Sequence, residues 1–186
     1  MNVSEARSLA QKSMSQKRFK HTEGVAEMAR KLAMLNAMEL EEPLIAAYLH
    51  DLAKEVPLKR QVELAQNWGL IKYSEDESAP YVLHGPIAAY WLEKEKKISP
   101  EICAAIAHHT LGTPGMSRLE MLIYSADLVE PGRDFPKVDK LRQSLYDDLE
   151  KGTLACMEHT IEYLQQKKLI IHPLTLKAYE DLKRRI

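Results

Sequence analysis

The sequence predicts an all-α fold, and three observations predict it. Leu, Ala, Glu, Lys and Met dominate the 186 residues, and these side chains lose least on entering a helix. Runs of β-branched residues, which would mark strands, are missing. Apolar positions recur at steps of three and four, bounded by Ser, Pro and Gly where helices begin and end. The length suits one domain covering residues 1–186 and burying its own core. There is no internal repeat, low-complexity segment or domain boundary in it.

Taken in order, Ser4 to Met14 reads as a short amphipathic helix with Ala6, Leu9 and Ala10 inward. Ser15 is the expected N-cap of a longer helix reaching about Ala37. There His21, Val25, Met28, Ala29, Leu32 and Leu35 share one stripe, so His21 faces the core. Gly24, one turn on, leaves room for a close approach to the backbone. Pro43 suits the first turn of the next helix, expected to carry Leu44 through Lys54 and stop near Pro57. A helix from Leu58 to Trp68 ends at Gly69, and Lys72 to Ala79 (KYSEDESA) reads as a loop. His84-Gly85-Pro86 opens a helix through IAAYWLEKEKK. Ser99-Pro100 begins EICAAIAHH, where only one of His108 and His109 can point inward, because helical neighbours lie about 100° apart. Ser117 caps SRLEMLIYSADLVE, with Leu119, Leu122, Ile123, Ala126 and Val129 inward and Asp127 bordering that stripe. Pro131-Gly132 stops it, and Arg133-Asp134-Phe135-Pro136 makes a rigid loop. Two helices from about Lys137 to Leu169, then one from Pro173 to Ile186, complete the chain. The core is expected over about 18–131, with the helices of about 137–186 packing on it.

Composition removes several classes of function. A net charge of −1 and a pI near 6.7 give no field for nucleic acid or an anionic membrane. The basic clusters (Lys17-Arg18 with Lys20, Lys94 with Lys96-Lys97, Lys167-Lys168, Lys183-Arg184-Arg185) are short and scattered, and read as solvated faces. Cys103 and Cys156 sit inside helical patterns and read as small buried hydrophobes rather than a disulfide. The amino terminus is no signal peptide and no apolar run spans a bilayer, so a cytoplasmic protein is expected.

The chemistry centres on Tyr48-Leu49-His50-Asp51-Leu52-Ala53-Lys54. It sets an imidazole beside a carboxylate at the end of an apolar run, and charged groups are seldom buried unless paired or bound to metal. Singly, each candidate has a plain structural reading: a hydrogen-bonded core histidine, a capping His84, a solvated Lys54. Their number changes the reading, since His21, His84, His109 and Asp127 lie on separate helical patterns. No CxxC, HExxH, GxxxxGK[ST] or GxGxxG motif is present. Imidazoles and carboxylates without thiolate suit iron, manganese, zinc or cobalt in an open, catalytic site, where the ion lowers the pKa of bound water toward about 7.

The order His21 … His50-Asp51 … Asp127 resembles the signature of the HD-domain metal-dependent phosphohydrolases, an all-helical superfamily acting on phosphoester and phosphoanhydride bonds. The segments KHTEGVAEMA, YLHDLAKEVP, HGPIAAYWL, IAHHTLGTPGMSRLEMLIYSADLVEPGRDFP and IHPLTLKAY are similar to the YqeK-type symmetrical bis(5′-nucleosyl)-tetraphosphatases, from about residue 20 to the C-terminus. The resemblance implies a helical bundle with the metal site between helices. It implies His21, His50, Asp51 and Asp127 as metal ligands, with iron the first expectation, manganese or cobalt alternatives, and one or two ions. His84 and His109 match positions that hold a second metal or touch phosphate; His109 is chosen over His108 because the family motif is His-Thr-x-Gly, here His109-Thr110-Leu111-Gly112. Lys54 matches a phosphate-facing lysine, and Gly24, Thr110, Glu130 and Arg133 line the expected nucleotide pocket. Asp51, Lys54, His84 and His109 are the catalytic candidates, with His21 also near substrate. The implied activity cleaves diadenosine tetraphosphate into two ADP, with the nucleotide as partner, no nucleic acid or membrane, and a homodimer open. The alternatives are phosphohydrolysis of a deoxynucleotide or cyclic dinucleotide, or a nucleotide sensor without turnover.

Overall fold

The computed structural model describes residues 1–186, which form eleven α-helices and no strand. They are α1 (Val3–Ser13), α2 (Gln16–Leu35), α3 (Glu41–Leu49), α4 (Leu58–Asn67), α5 (Glu75–Ser78), α6 (His84–Trp91), α7 (Pro100–His108), α8 (Arg118–Val129), α9 (Val138–Asp147), α10 (Leu149–Gln166) and α11 (Pro173–Arg185). Their starts follow the capping chemistry. The hydroxyls of Ser15, Ser99 and Ser117 accept the N–H groups of Arg18, Ile102 and Glu120, satisfying donors that a first turn leaves free. Asn2 does the same for α1.

Helix α8 is the axis of the bundle. Leu119 through Ala126 are all buried, and a helix can be buried all round only where neighbours cover every side. Helices α2, α3, α7 and α10 do so, while α6 packs on α7 and α9 and α11 pack on α10. One apolar cluster runs from Ala6 to Leu182. Cys103 and Cys156 belong to it as free thiols; burial pushes them up to about 11 and about 12, so they stay protonated and unreactive. No helix is long and apolar enough to cross a membrane.

Three local expectations are corrected. The helix expected to carry His50-Asp51 through Lys54 ends at Leu49, and His50 to Glu55 form consecutive turns. The stretch expected to continue as one helix to Lys97 becomes a π-turn over Leu92–Lys96, closed by Lys97 at φ 53°. The expected loop at 72–79 contains α5, followed by a 3-10 turn at Pro80–Val82. Asp76 organises it: one carboxylate oxygen accepts the N–H groups of Lys72 and Tyr73, and the other faces His172 Nε2 at 3.1 Å. His172 Nδ1 accepts the N–H of Leu174, so this pair ties the start of α11 to the segment leading into α6.

Candidate metal centre

One backbone device recurs at three of the histidines. Nδ1 of His50, His84 and His109 lies 2.7 Å from the carbonyl oxygen three residues earlier, that of Ala47, Tyr81 and Ile106 respectively. A carbonyl only accepts, so Nδ1 carries the proton and Nε2 is left as a lone pair. At His50 the same bond accounts for the end of α3. The imidazole takes the Ala47 carbonyl, and the chain leaves the helix through bonds such as Lys54 N–H to Asp51 C=O at 2.9 Å. The lone pair is thereby turned inward at the point where the chain turns.

The inward nitrogens meet two aspartates. His21 Nε2 lies 2.9 Å from Asp127 Oδ1 and 3.8 Å from Asp51 Oδ2. His50 Nε2 lies 3.5 Å from Asp51 Oδ2 and 4.0 Å from Asp127 Oδ1. The other Asp51 oxygen, Oδ1, is 3.2 Å from His84 Nε2 and 3.8 Å from His109 Nε2, and those two nitrogens are 2.9 Å apart. Asp51 thus turns one oxygen toward each of two side-chain groups, His21–His50–Asp127 and His84–His109.

The arrangement fits a divalent cation. The Nε2 atoms of His21 and His50 are buried without a hydrogen-bond partner; the approach of His21 to Asp127 is short but lacks hydrogen-bond direction. Orphaned buried acceptors are costly, and here they converge. Ligand bonds of about 2.1 Å put neighbouring donors on one ion roughly 3.0 Å apart and opposite ones about 4.2 Å. The observed 2.9–4.0 Å lies close to that interval. Charge agrees. Burial works to raise the Asp51 and Asp127 carboxyls, but the surrounding imidazoles, His50 and His21 foremost, hold both below the ordinary range. Burial works to lower His50, and the two carboxylates overcome it. Burial brings His109 down to about 3 and also lowers His84, so their lone pairs stay available.

Three basic side chains stand around this centre. Lys54 Nζ is 3.3 Å from His84 Nε2, and burial lowers its pKa against the pull of Asp51 and Asp127. Arg133 reaches Asp127 Oδ1 at 3.0 Å and remains 40% exposed. The third is Arg18, which bonds Asp51 Oδ2 at 2.8 Å. Its assignment to a solvated basic cluster is corrected. The signal was there: Arg18 precedes His21 by three residues, so both share one face of α2.

The remaining candidates fall into two sets. Thr110 Oγ1 stands 3.1 Å from His109 Nε2, at the centre. His108 points elsewhere, its Nδ1 2.6 Å from Glu120. Gly24 and Glu130 occupy each other, because a Cβ on Gly24 would collide with the Glu130 carboxylate. That buried carboxylate also faces His21 Nδ1 at 3.2 Å and accepts the N–H of Gly132. The space beside residue 24 is taken by the Glu130 side chain. Arg142, unremarked in the sequence, bonds the carbonyls of Val129, Glu130 and Arg133 and so secures the loop that follows α8.

A helical bundle that gathers His and Asp side chains able to hold a metal from α2, the turn after α3 and α8 defines a class, and comparison agrees with it. Residues 18–132 match the HD domain model, and the chain belongs to the HD domain family. It is 35% identical, over 98% of its length and 97% of the relative's, to a protein of Halalkalibacterium halodurans named symmetrical bis(5′-nucleosyl)-tetraphosphatase. Proteins of the same name from Bacillus subtilis and Staphylococcus aureus are 33% and 34% identical, covering 98% and 95% of this chain and 98% and 92% of theirs. The fold is similar to a crystal structure from Clostridium acetobutylicum, described as a predicted HD superfamily hydrolase involved in NAD metabolism. That likeness has a TM-score of 0.92 and 34% identity over 98% of this chain and 97% of that one.

Proposed function

We propose that the protein is a metal-dependent hydrolase that splits diadenosine tetraphosphate and related dinucleoside polyphosphates symmetrically into two nucleoside diphosphates. The observation that carries this reading is the convergence of orphaned imidazole lone pairs and two aspartates within a ring of three basic side chains. Relatives at 33–35% identity, matched over nearly their whole length, support the choice of substrate. The whole chain acts as one unit in this reading, since ligands come from residues 21–127 and further basic and cavity-lining residues from 133 onward.

His21, His50, Asp51 and Asp127 would hold the ion; nitrogen and oxygen donors without thiolate suit iron, manganese or cobalt alike, and iron is the choice that the family resemblance implies. Bound there, a divalent ion supplies Lewis-acid polarisation of a phosphoryl oxygen and makes water more acidic. The chain's own residues do the rest. Phosphoryl transfer needs positioning and charge neutralisation more than covalent help. Lys54 and Arg133 meet the negative charge on the phosphoryl oxygens, and His84, His109 and the Thr110 hydroxyl orient the same oxygens. Arg18 and Glu130 are positioning residues: one fixes Asp51 Oδ2, the other the ring of His21. Neither a membrane nor a nucleic acid enters this scheme.

The test is incubation of protein loaded with ferrous, manganous or cobaltous ion with diadenosine tetraphosphate, products being resolved by chromatography. ADP alone is expected. AMP with ATP would exclude symmetrical cleavage, and binding without turnover would make the protein a sensor rather than a hydrolase.

A further inference from the structure

The segment IHPLTLKAY, residues 171–179, opens α11 and has no part in the metal centre. The cavity of about 660 Å³ that opens beside Arg133 toward α10 is lined by no residue of α5, α6 or α11. Yet His172 and Asp76 are buried against each other, 3% and 6% exposed, and groups of this kind are seldom buried without a purpose for the pairing. His172 Nδ1 accepts the N–H of Leu174, so its proton sits on Nε2 and goes to Asp76 Oδ1 at 3.1 Å. This is the reverse of the tautomer at His50, His84 and His109. A ring committed in this way has no Nε2 lone pair for an ion; what it does is hold Asp76.

Asp76 in turn begins a run of short-range bonds that ends at His84. Its other oxygen accepts the N–H groups of Lys72 and Tyr73 at 2.8 and 2.9 Å. Ala79 N–H then bonds the Glu75 carbonyl at 2.8 Å, Val82 that of Ala79 at 3.1 Å and Leu83 that of Pro80 at 3.1 Å. Within this run lies the Tyr81 carbonyl, which takes the Nδ1 proton of His84 at 2.7 Å and so aims His84 Nε2. Helix α11 also grips the chain beyond His109. Gly115 N–H bonds Asp181 at 2.7 Å, Arg185 bonds the Met116 carbonyl at 3.3 Å, and a Cβ on Gly112 would stand 3.2 Å from Ala178. One helix thereby fastens the segment before His84 and the segment after His109, whose Nε2 atoms meet at 2.9 Å.

We propose that α11 sets the His84–His109 pair from outside the centre, with Asp76 and His172 as positioning residues for His84 and Asp181 as the positioning residue for the loop behind His109. The inference rests on the reading that these two imidazoles orient phosphoryl oxygens, and it gives the C-terminal helix a part in the reaction. The hydrogen-bond pattern makes the contact exacting. Asp76→Asn preserves size, but while its oxygen serves Lys72 and Tyr73 its amide would turn a donor against the His172 Nε2 proton. His172→Gln instead keeps a donor facing Asp76.

Two measurements test it. In zinc-loaded protein labelled with nitrogen-15 histidine, NMR follows exchange of the Nδ1 protons of His84, His109 and His50 with deuterium oxide. Asp76→Asn is expected to speed exchange at His84 by roughly 10- to 100-fold, the loss that goes with a hydrogen bond to a charged group. His50, on the far side of Asp51, should stay within about threefold of wild type. A general loosening would speed both together; that result, or no change at His84, would overturn the inference. Should Asp76→Asn fail to fold, Asp181→Ala at the partly exposed fastener carries the same comparison, with exchange at His109 faster by about tenfold and His50 steady. In manganese-loaded enzyme, Asp76→Asn and His172→Ala should lower kcat for diadenosine tetraphosphate by roughly 10- to 100-fold, while His172→Gln stays within about threefold of wild type. Equal kcat in all three variants and wild type would overturn the inference and leave the hydrolase reading intact. A wild-type protein without turnover would end that reading, and the exchange comparison would still decide this one.

Discussion

His84 and His109 meet Nε2 to Nε2 at 2.9 Å, although each ring has already committed its Nδ1 proton to a backbone carbonyl. Two lone pairs at that distance repel unless a positive charge stands beside them. Lys54 Nζ, 3.3 Å from His84 Nε2, supplies part of it, and a divalent ion held by both rings would supply the rest. A divalent ion should therefore stabilise the fold strongly. At about one hundred times its dissociation constant it should add about 2.7 kcal/mol, raising Tm by roughly 5–10 °C. Thermal melts of chelator-treated protein, with and without manganous or ferrous ion, check this; a flat response would count against the centre.

Asp51 faces both ligand groups, and Arg18 holds the oxygen it turns toward His21 and His50. Asp51→Ala should remove ion binding and turnover together. Arg18→Ala should keep the fold and lower ion affinity or kcat by about 10- to 100-fold, the usual cost of losing the partner of a ligand. Titration with manganous ion followed by initial rates separates the two effects, and Arg18→Lys should recover part of the loss.

The meeting of His84 and His109 depends on Gly85. A Cβ there would lie 2.8 Å from the Ile106 carbonyl oxygen and 3.2 Å from His109 Nδ1. Neither can yield cheaply, because that carbonyl is the acceptor which orients His109. Gly85→Ala should cost about 1–3 kcal/mol of stability through overpacking and reduce turnover beyond that loss. Urea unfolding compared with rates measured well below the transition checks both; a variant with normal rate would show that the close approach is dispensable.

A pH signature lies away from the centre, at Glu120. Burial would raise this carboxyl, but His108 and the N–H and hydroxyl of Ser117 outweigh it and hold the pKa below the ordinary 4.5. A depressed carboxylate contributes stability that is complete above the unfolded value and lost as pH falls through the folded one. Glu120→Gln should therefore destabilise by about 1–2 kcal/mol at pH 7, with the difference from wild type shrinking below pH 4.5. Denaturant titrations at pH 7, 5 and 3.5 would reveal it. A penalty independent of pH would mean that packing, and not charge, holds this corner.

The helices and their starts were legible because they depend on short-range chemistry. Ser15, Ser99 and Ser117 cap where expected, since a hydroxyl and an N–H two or three residues on meet whatever the rest of the chain does. The expected continuation of α3 through Asp51 was not correct, because helical periodicity carries no information about a side chain taking a backbone carbonyl. The basic residue at 18 illustrates the same boundary. Its charge and helical face could be read in advance, but its carboxylate partner, 33 residues away, could not.

By itself the sequence determined an all-α chain and the residue types able to hold a hard or borderline cation, because propensity, periodicity and donor chemistry are local properties. Only the tertiary structure decided that Arg18 holds Asp51, that Glu130 fills the space at Gly24, and that a cavity opens beside Arg133 toward α10. Each of those outcomes is a contact between segments distant in the chain, set by how helices pack around α8, and no local pattern encodes which side chain will be met there.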